Sequence, residues 1–326
     1  MIPVTSLNAR IWSKIGSRGT YGLTMMELGK EYDDIMVLTA DLCTTSGLDR
    51  FREAFPEKFC NVGIAEQNLI GIAGGLAKEG KTVFASSFAT FVVMRAYEHV
   101  RLNLGYMGFN VKVVGLAAGF AMGMFGNTHY GIEDIALMRA IPGLCVLSPA
   151  DCSEVVKATY AAAKYCGPVY LRLTGGMNCP VVYKNDYLFE IGKAVSVKEG
   201  HNIAIISTGS MVYQSIQAAK ELEHDGISAS VINMHTIKPL DTHTIDELCG
   251  KVSLFVTVEE HSIIGGLGGA VAEHLSSITS SPRLIRIGIP DAFQRVGDYE
   301  YLLEQNGLTG SKIAERIRKE YMADSF

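Results

Sequence analysis

The stretch 61–85, NVGIAEQNLIGIAGGLAKEGKTVFA, reads as a loop, an amphipathic helix over 67–78 and a β-branched strand over 82–85. The same alternation runs outward in both directions. Upstream, 35–40 (IMVLTA) is another short apolar run with β-branched residues. Downstream, runs at 111–116, 145–148 and 169–173 alternate with amphipathic stretches at 91–104, 132–139 and 152–164. Strands and helices in alternation imply a parallel sheet covered by helices on both faces.

The rhythm breaks at 175–190, which holds two glycines, a proline and several polar residues and reads as a connection between domains. A second set follows, with strands at 203–207, 229–233, 254–258 and 284–287 and helices at 211–224, 244–249 and 268–277. Two short helices close the chain, ending near Lys319. The expected fold class is therefore α/β: two three-layer domains with mainly parallel sheets, over 1–180 and 191–326, joined by a linker at 181–190. A chain of 326 residues, 48% hydrophobic, suffices for two cores, since single cores stop growing near ~250 residues.

A net charge of -5 argues against a nucleic-acid partner, which requires a basic face. No apolar run reaches the roughly 18 residues of a membrane span, and 1–18 lacks the apolar centre of a secretory signal. The expectation is a cytoplasmic protein without membrane contact. Seven cysteines with no CxxC pair read as reduced, mostly buried thiols rather than zinc ligands or a redox motif.

Four segments carry residues suited to chemistry. Glu66 sits where the 61–65 loop enters a helix, a position that the helix dipole makes favourable for any acid. Phe88 and Phe91 are three apart and share a face at a helix start, as core residues also do. His129, in GNTHYGIED (126–134), follows a strand and precedes a helix. Asp41 and Leu42 end the strand at 35–40, where an acid can simply cap the next turn.

Together these segments resemble transketolases. GIAEQNLIGIAGGLA (63–77) is similar to the run that, in transketolases and deoxyxylulose-phosphate synthases, delivers a glutamate to N1′ of the aminopyrimidine of thiamine diphosphate. The resemblance makes Glu66 the carboxyl that promotes proton loss from the cofactor's C2. Such a group works best when burial lifts it above its free value of ~4.3. SFATFVVMRAYEHVR (87–101) resembles the segment whose rings stack on the pyrimidine, with Phe91 the stacking ring and Phe88 lining the pocket. Arg95, Tyr97 and Arg101 match as well, in roles that structural packing also explains. The Gly-x-Thr-His element at 126–129 implies that His129 acts on the substrate, because an imidazole gives and takes protons near neutral pH. Asp41 and Leu42 would lie beside the cofactor. TIKPLD (236–241), VEEH (258–261) and GIPD (288–291) resemble the family's C-terminal domain.

The family's Gly-Asp-Gly element, which with a later asparagine holds Mg²⁺ and the diphosphate, occurs nowhere in the chain. The resemblance thus implies a split enzyme. An N-terminal transketolase subunit would supply that element, the cofactor would lie between the chains, and two of each would form a heterotetramer. Where full-length enzymes carry sugar-binding His and Asp residues, this chain has Ala117, Ala118 and Phe125. Their loss removes charge-assisted hydrogen bonds of ~1.5–3 kcal/mol each, so sugar specificity should differ. Arg172, in VYLRL (169–173), and Thr45 are candidates for the anionic tail of a sugar phosphate or a substitute such as a sulfonate; Arg172 reads equally as a structural ion pair. The resemblance implies two-carbon ketol transfer. Alternatives are the beta-type subunit of a 2-oxo-acid dehydrogenase, half of a deoxyxylulose-phosphate synthase, or a non-catalytic transketolase-like regulator.

Overall fold

The computed structural model describes residues 2–323. A long helix α1 (Ser6–Glu31) opens the chain and leads into β1 (Ile35–Thr39), α2 (Asp49–Ala54), β2 (Phe59–Asn61) and α3 (Glu66–Lys78). Then come β3 (Thr82–Phe88), α4 (Tyr97–Val100), β4 (Val111–Ala118), α5 (Asp134–Arg139), β5 (Cys145–Leu147), α6 (Cys152–Lys164) and β6 (Val169–Thr174). The second half comprises β7 (Val195–Lys198), β8 (Ile203–Ser207), α7 (Met211–His224), β9 (Ala229–Asn233), β10 (Thr236–Lys238) and α8 (Thr242–Cys249). It ends with β11 (Leu254–Ser262), α9 (Leu267–Leu275), β12 (Arg283–Ile289), α10 (Tyr299–Gln305) and α11 (Gly310–Ala323).

Two sheets result, ordered β10-β5-β6-β4-β3-β1-β2 and β12-β11-β8-β9-β7. Every pairing is parallel except those of the edge strands β10 and β7. Strands β3, β4 and β6 are buried almost throughout, as expected where helices cover both faces. Strand β10 belongs to the second half of the sequence yet completes the first sheet by pairing with β5. The connection after Thr174 has no regular structure until Val195. It is held by the Asp151 carboxylate, which accepts the N–H groups of Val182 and Tyr183, and by the Glu154 carboxylate, which accepts the Tyr187 hydroxyl.

Several elements were not visible in the sequence. Helix α1 buries Trp12, Tyr21, Met25 and Leu28, but also Ser17, Thr20, Thr24 and Gly29, so its buried face carries no apolar period. Gly16 interrupts it at φ 77, where a side chain would run into the backbone of Gly176. The expected helix over 91–104 is instead α4 between two π-helical turns, Phe91–Arg95 and Arg101–Tyr106. All seven cysteines are free thiols. Three are buried, Cys166 is exposed and the others are half-buried, so the expectation of mostly buried thiols was too strong. No helix among the described residues is long and apolar enough to cross a membrane.

Candidate active site

The carboxyl ends of parallel strands are where open α/β sheets bind ligands, and most of the expected residues emerge there. Asp41 and Leu42 follow β1, the 61–65 loop follows β2, Phe88 closes β3, and the loop carrying His129 follows β4.

Glu66 is 2% exposed at the first position of α3. Its Oε2 accepts the Arg95 guanidinium at 2.7 Å and its Oε1 accepts the Ser87 hydroxyl at 3.4 Å. Arg95 lies in the π-helical turn after β3 and keeps 47% of its side chain exposed. Its guanidinium carbon sits 4.6 Å from the centre of the Phe91 ring, a cation–π contact. A wide turn of this kind re-aims side chains relative to an α-helix, and here Arg95 reaches the Glu66 carboxylate while lying over the Phe91 ring.

Phe91 also packs edge-on against Phe88 at 5.9 Å and against the imidazole of His129 at 5.2 Å. Phe88 lies 6.1 Å from His129. The structure therefore brings Glu66, Phe88, Phe91 and His129 into one cluster, with Arg95 as the link between acid and ring. The sequence marked Arg95 as a match without choosing between a structural and a functional role. Its place in the same 87–101 run as the two phenylalanines was the available signal.

Asp41 is exposed and adopts φ 59. It exchanges hydrogen bonds with Asn61: its N–H donates to Asn61 Oδ1 at 2.9 Å, and Asn61 Nδ2 donates to its carboxylate at 3.0 Å. Asn61 Oδ1 also accepts the Gly63 N–H at 3.1 Å. Asp41 thus shapes the loop that delivers Glu66. Leu42 is half-buried, and its N–H donates to Thr39 Oγ1 at 3.2 Å. Thr45 is half-buried in the following turn, which packs on α1 between Arg18 and Gly22.

Arg172 does not join this cluster. It is 1% exposed, its Nε donates to Asp134 Oδ2 at 2.7 Å, and its Nη2 donates to the carbonyls of Gly131 and Glu260 at 3.1 and 2.8 Å. A guanidinium committed to a buried carboxylate and two carbonyls is not presented to an incoming sugar, so the expectation that it binds an anionic tail is corrected to a buried ion pair. Another arginine, Arg18, was not singled out in the sequence. It is half-buried on α1, burial pulls its guanidinium below the ordinary value, and it forms no ion pair or side-chain hydrogen bond among the described residues. The signal was faint, because helix α1 itself was not recognised.

Of the three apolar replacements, Ala117 and Ala118 are buried at the end of β4. Phe125 is 60% exposed and lies 4.9 Å from the His129 ring. Only Phe125 puts an apolar surface beside His129.

A flat heterocycle with hydrogen-bonding groups at its edge fits this arrangement: a buried carboxyl for the edge and half-buried aromatic faces for the ring. Among the described residues no group of three or more His, Cys, Asp or Glu side chains could hold a metal ion. The residues gathered here fit the pyrimidine end of thiamine diphosphate.

Comparison with known proteins bears on this geometry. Residues 13–178 match the transketolase pyrimidine-binding domain and residues 192–313 the transketolase C-terminal domain. The chain is 45% identical over 307 residues to a protein of Methanocaldococcus jannaschii named as a transketolase C-terminal section, covering 94% of this chain and 96% of that one. It is 40% identical over 296 residues to a 6-deoxy-6-sulfo-D-fructose transketolase subunit of a Clostridium species, covering 91% of each. Among solved structures, a split-gene transketolase described as an inactive beta4 tetramer superposes with a TM-score of 0.85 at 41% identity, over 94% of this chain and 97% of that one.

Proposed function

The chain belongs to the transketolase family and carries its pyrimidine-binding and C-terminal domains, and from that premise we propose that it is one subunit of a two-chain transketolase. The enzyme moves a two-carbon ketol unit from a ketose to an aldose. The supporting observation is the buried Glu66 carboxylate, held by Arg95 beside the Phe88, Phe91 and His129 rings. The pyrimidine-binding domain spans 1–180, the linker 181–190 and the C-terminal domain 191–326.

When bound, thiamine diphosphate supplies a nucleophilic carbon that permits cleavage between C2 and C3 of the ketose. Glu66 holds a proton at pyrimidine N1′, and the half-exposed Arg95 yields its place on the carboxylate to the ring. Phe91 and Phe88 provide the face and wall of the pocket. Asp41, through Asn61, and Leu42 hold the loop at the cofactor's edge. His129 gives and takes a proton at the substrate hydroxyl. Mg²⁺ and the diphosphate would be held by the Gly-Asp-Gly element of the N-terminal subunit, in a cytoplasmic heterotetramer.

Specificity departs from that of the ordinary pentose-phosphate enzyme. Phe125 beside His129 favours a sugar with fewer hydroxyls to satisfy there, and the half-buried Arg18, whose helix packs against the turn after Thr45, is the candidate for an anionic tail, phosphate or sulfonate. The relative that acts on 6-deoxy-6-sulfo-D-fructose makes a sulfonate tail a reasonable first substrate to assay.

The test is reconstitution with the N-terminal subunit and assay of ketol transfer. Glu66→Gln should lower turnover by at least ~100-fold, the scale of lost acid–base catalysis, with an unchanged melting temperature. Full turnover by that variant removes Glu66 from the mechanism. Pyruvate decarboxylation by the wild-type complex would favour the 2-oxo-acid dehydrogenase or deoxyxylulose-phosphate reading.

A further inference from the structure

The loop bearing His129 leaves the first sheet after β4 and returns at α5, yet its anchors are largely in the C-terminal domain. Its base is closed by an antiparallel bridge between Gly119 and Gly131, with N–H to carbonyl distances of 2.8 and 3.3 Å. One side of the base is gripped by Glu260, which is 1% exposed and whose Oε1 accepts the Phe120 N–H at 2.6 Å. The other Glu260 oxygen accepts hydroxyls from Ser210 and, at 2.8 Å, from Tyr299. On the opposite side, Arg172 Nη2 bridges the carbonyls of Gly131 and Glu260 itself.

Above the base, the grip continues. Asn127 exchanges hydrogen bonds with the backbone of Gln294 at 2.8 and 2.9 Å, and the Tyr130 hydroxyl shares its one proton between the carbonyls of Arg295 and Gly123, each at 2.8 Å. Phe120, Tyr130 and Ile132 are counted in the second domain's core, packed with residues of β8, β11 and α10. His129 lies between these anchors. The C-terminal domain, which contributes none of the residues that would touch cofactor, is thus the mount of the loop that would touch substrate.

We propose that Glu260 is a positioning residue for His129 and that, through it, the C-terminal domain sets the geometry of the transfer step. This rests on the transketolase reading of the site. A carboxylate with three donors around it makes the strong, charge-assisted bonds that fix a backbone position, and misplacing a reacting group by about 1 Å can cost on the order of 100-fold in rate.

The test uses Glu260→Gln and the milder Tyr299→Phe in the full chain, alone and assembled with the N-terminal subunit. In the isolated chain, hydrogen–deuterium exchange of 119–131 should speed up by about fivefold or more in Glu260→Gln, while α3 keeps its protection. In the complex, kcat for ketol transfer should fall by about 10-fold or more in Glu260→Gln and about threefold in Tyr299→Phe, while cofactor affinity stays within about twofold. A parallel fall in cofactor affinity would mark a merely structural role and overturn the proposal. So would unchanged exchange in both variants, or wild-type kcat in both. If Glu260→Gln fails to fold, Tyr299→Phe decides. A wild-type complex without any ketol transfer would fail the functional reading instead, and the exchange of the 119–131 loop would still judge the role of Glu260.

Discussion

Arg18 is a half-buried guanidinium with no ion-pair partner among the described residues, next to the turn that holds Thr45. A partly desolvated cation gains most from a charged hydrogen-bond acceptor. Arg18→Ala should therefore raise KM for an anionic ketose donor by about 10- to 100-fold, the equivalent of one or two charged hydrogen bonds, with kcat little changed. An unaltered KM in steady-state assays would remove Arg18 from substrate recognition. Glycine 119 makes a complementary point about backbone. It sits at φ 69, and a Cβ there would collide with the Glu260 carboxylate. Gly119→Ala should destabilise the chain by about 1–3 kcal/mol, the cost of forced left-handed strain, in a denaturant titration.

At the scale of elements, the linker is pinned by aromatic stacking as well as by carboxylates. The Phe189 ring stacks on His235 with centroids 4.1 Å apart, and Tyr183 stacks on Tyr187 at 4.0 Å. His235 is fully buried, and burial pulls its pKa from 6.5 to about 4. The unfolded chain therefore binds this proton more readily than the folded one between about pH 6.5 and 4. The contribution of His235 to stability is complete above 6.5 and is lost as pH falls through that window. Melting temperature and protease resistance of the linker should both decline over it, and His235→Phe should flatten the His235 part of the decline. An identical pH dependence in that variant would refute the assignment. The sequence showed this segment as a connection because of its glycines and proline, but it held no sign that Phe189 and His235, 46 positions apart by number, would stack.

For the whole molecule, the sequence carries no Gly-Asp-Gly element, and the proposed function assigns that element to an N-terminal subunit. The chain on its own should fold with a cooperative transition yet transfer no ketol units. Addition of the N-terminal subunit and Mg²⁺ should restore activity, with light scattering reporting two copies of each chain. Transfer by this chain alone would contradict the division of labour. The exposed apolar residues near Glu66 in sequence and along the 91–95 turn, Ile64 at 79% and Met94 at 42%, are the surface that such a partner would be expected to cover.

Local pattern was enough to establish the alternating α/β architecture, and the motif resemblance was enough to nominate Glu66, Phe88, Phe91 and His129, because strand and helix periods and short motifs are properties of neighbouring residues. The fold gathers those four with Arg95 into one cluster. Other features depended on residues distant in sequence and were decided only by tertiary packing. Helix α1 escaped detection because small polar residues suffice on a face that packs closely against α6. Strand β10 joins the first sheet from the second half of the chain. Arg172, a plausible anion ligand as a letter in a motif, is neutralised by Asp134 38 residues away, whereas Glu260 reaches Phe120 across 140. Charge pairing and loop anchoring are set by distance in space, which no window along the chain can measure.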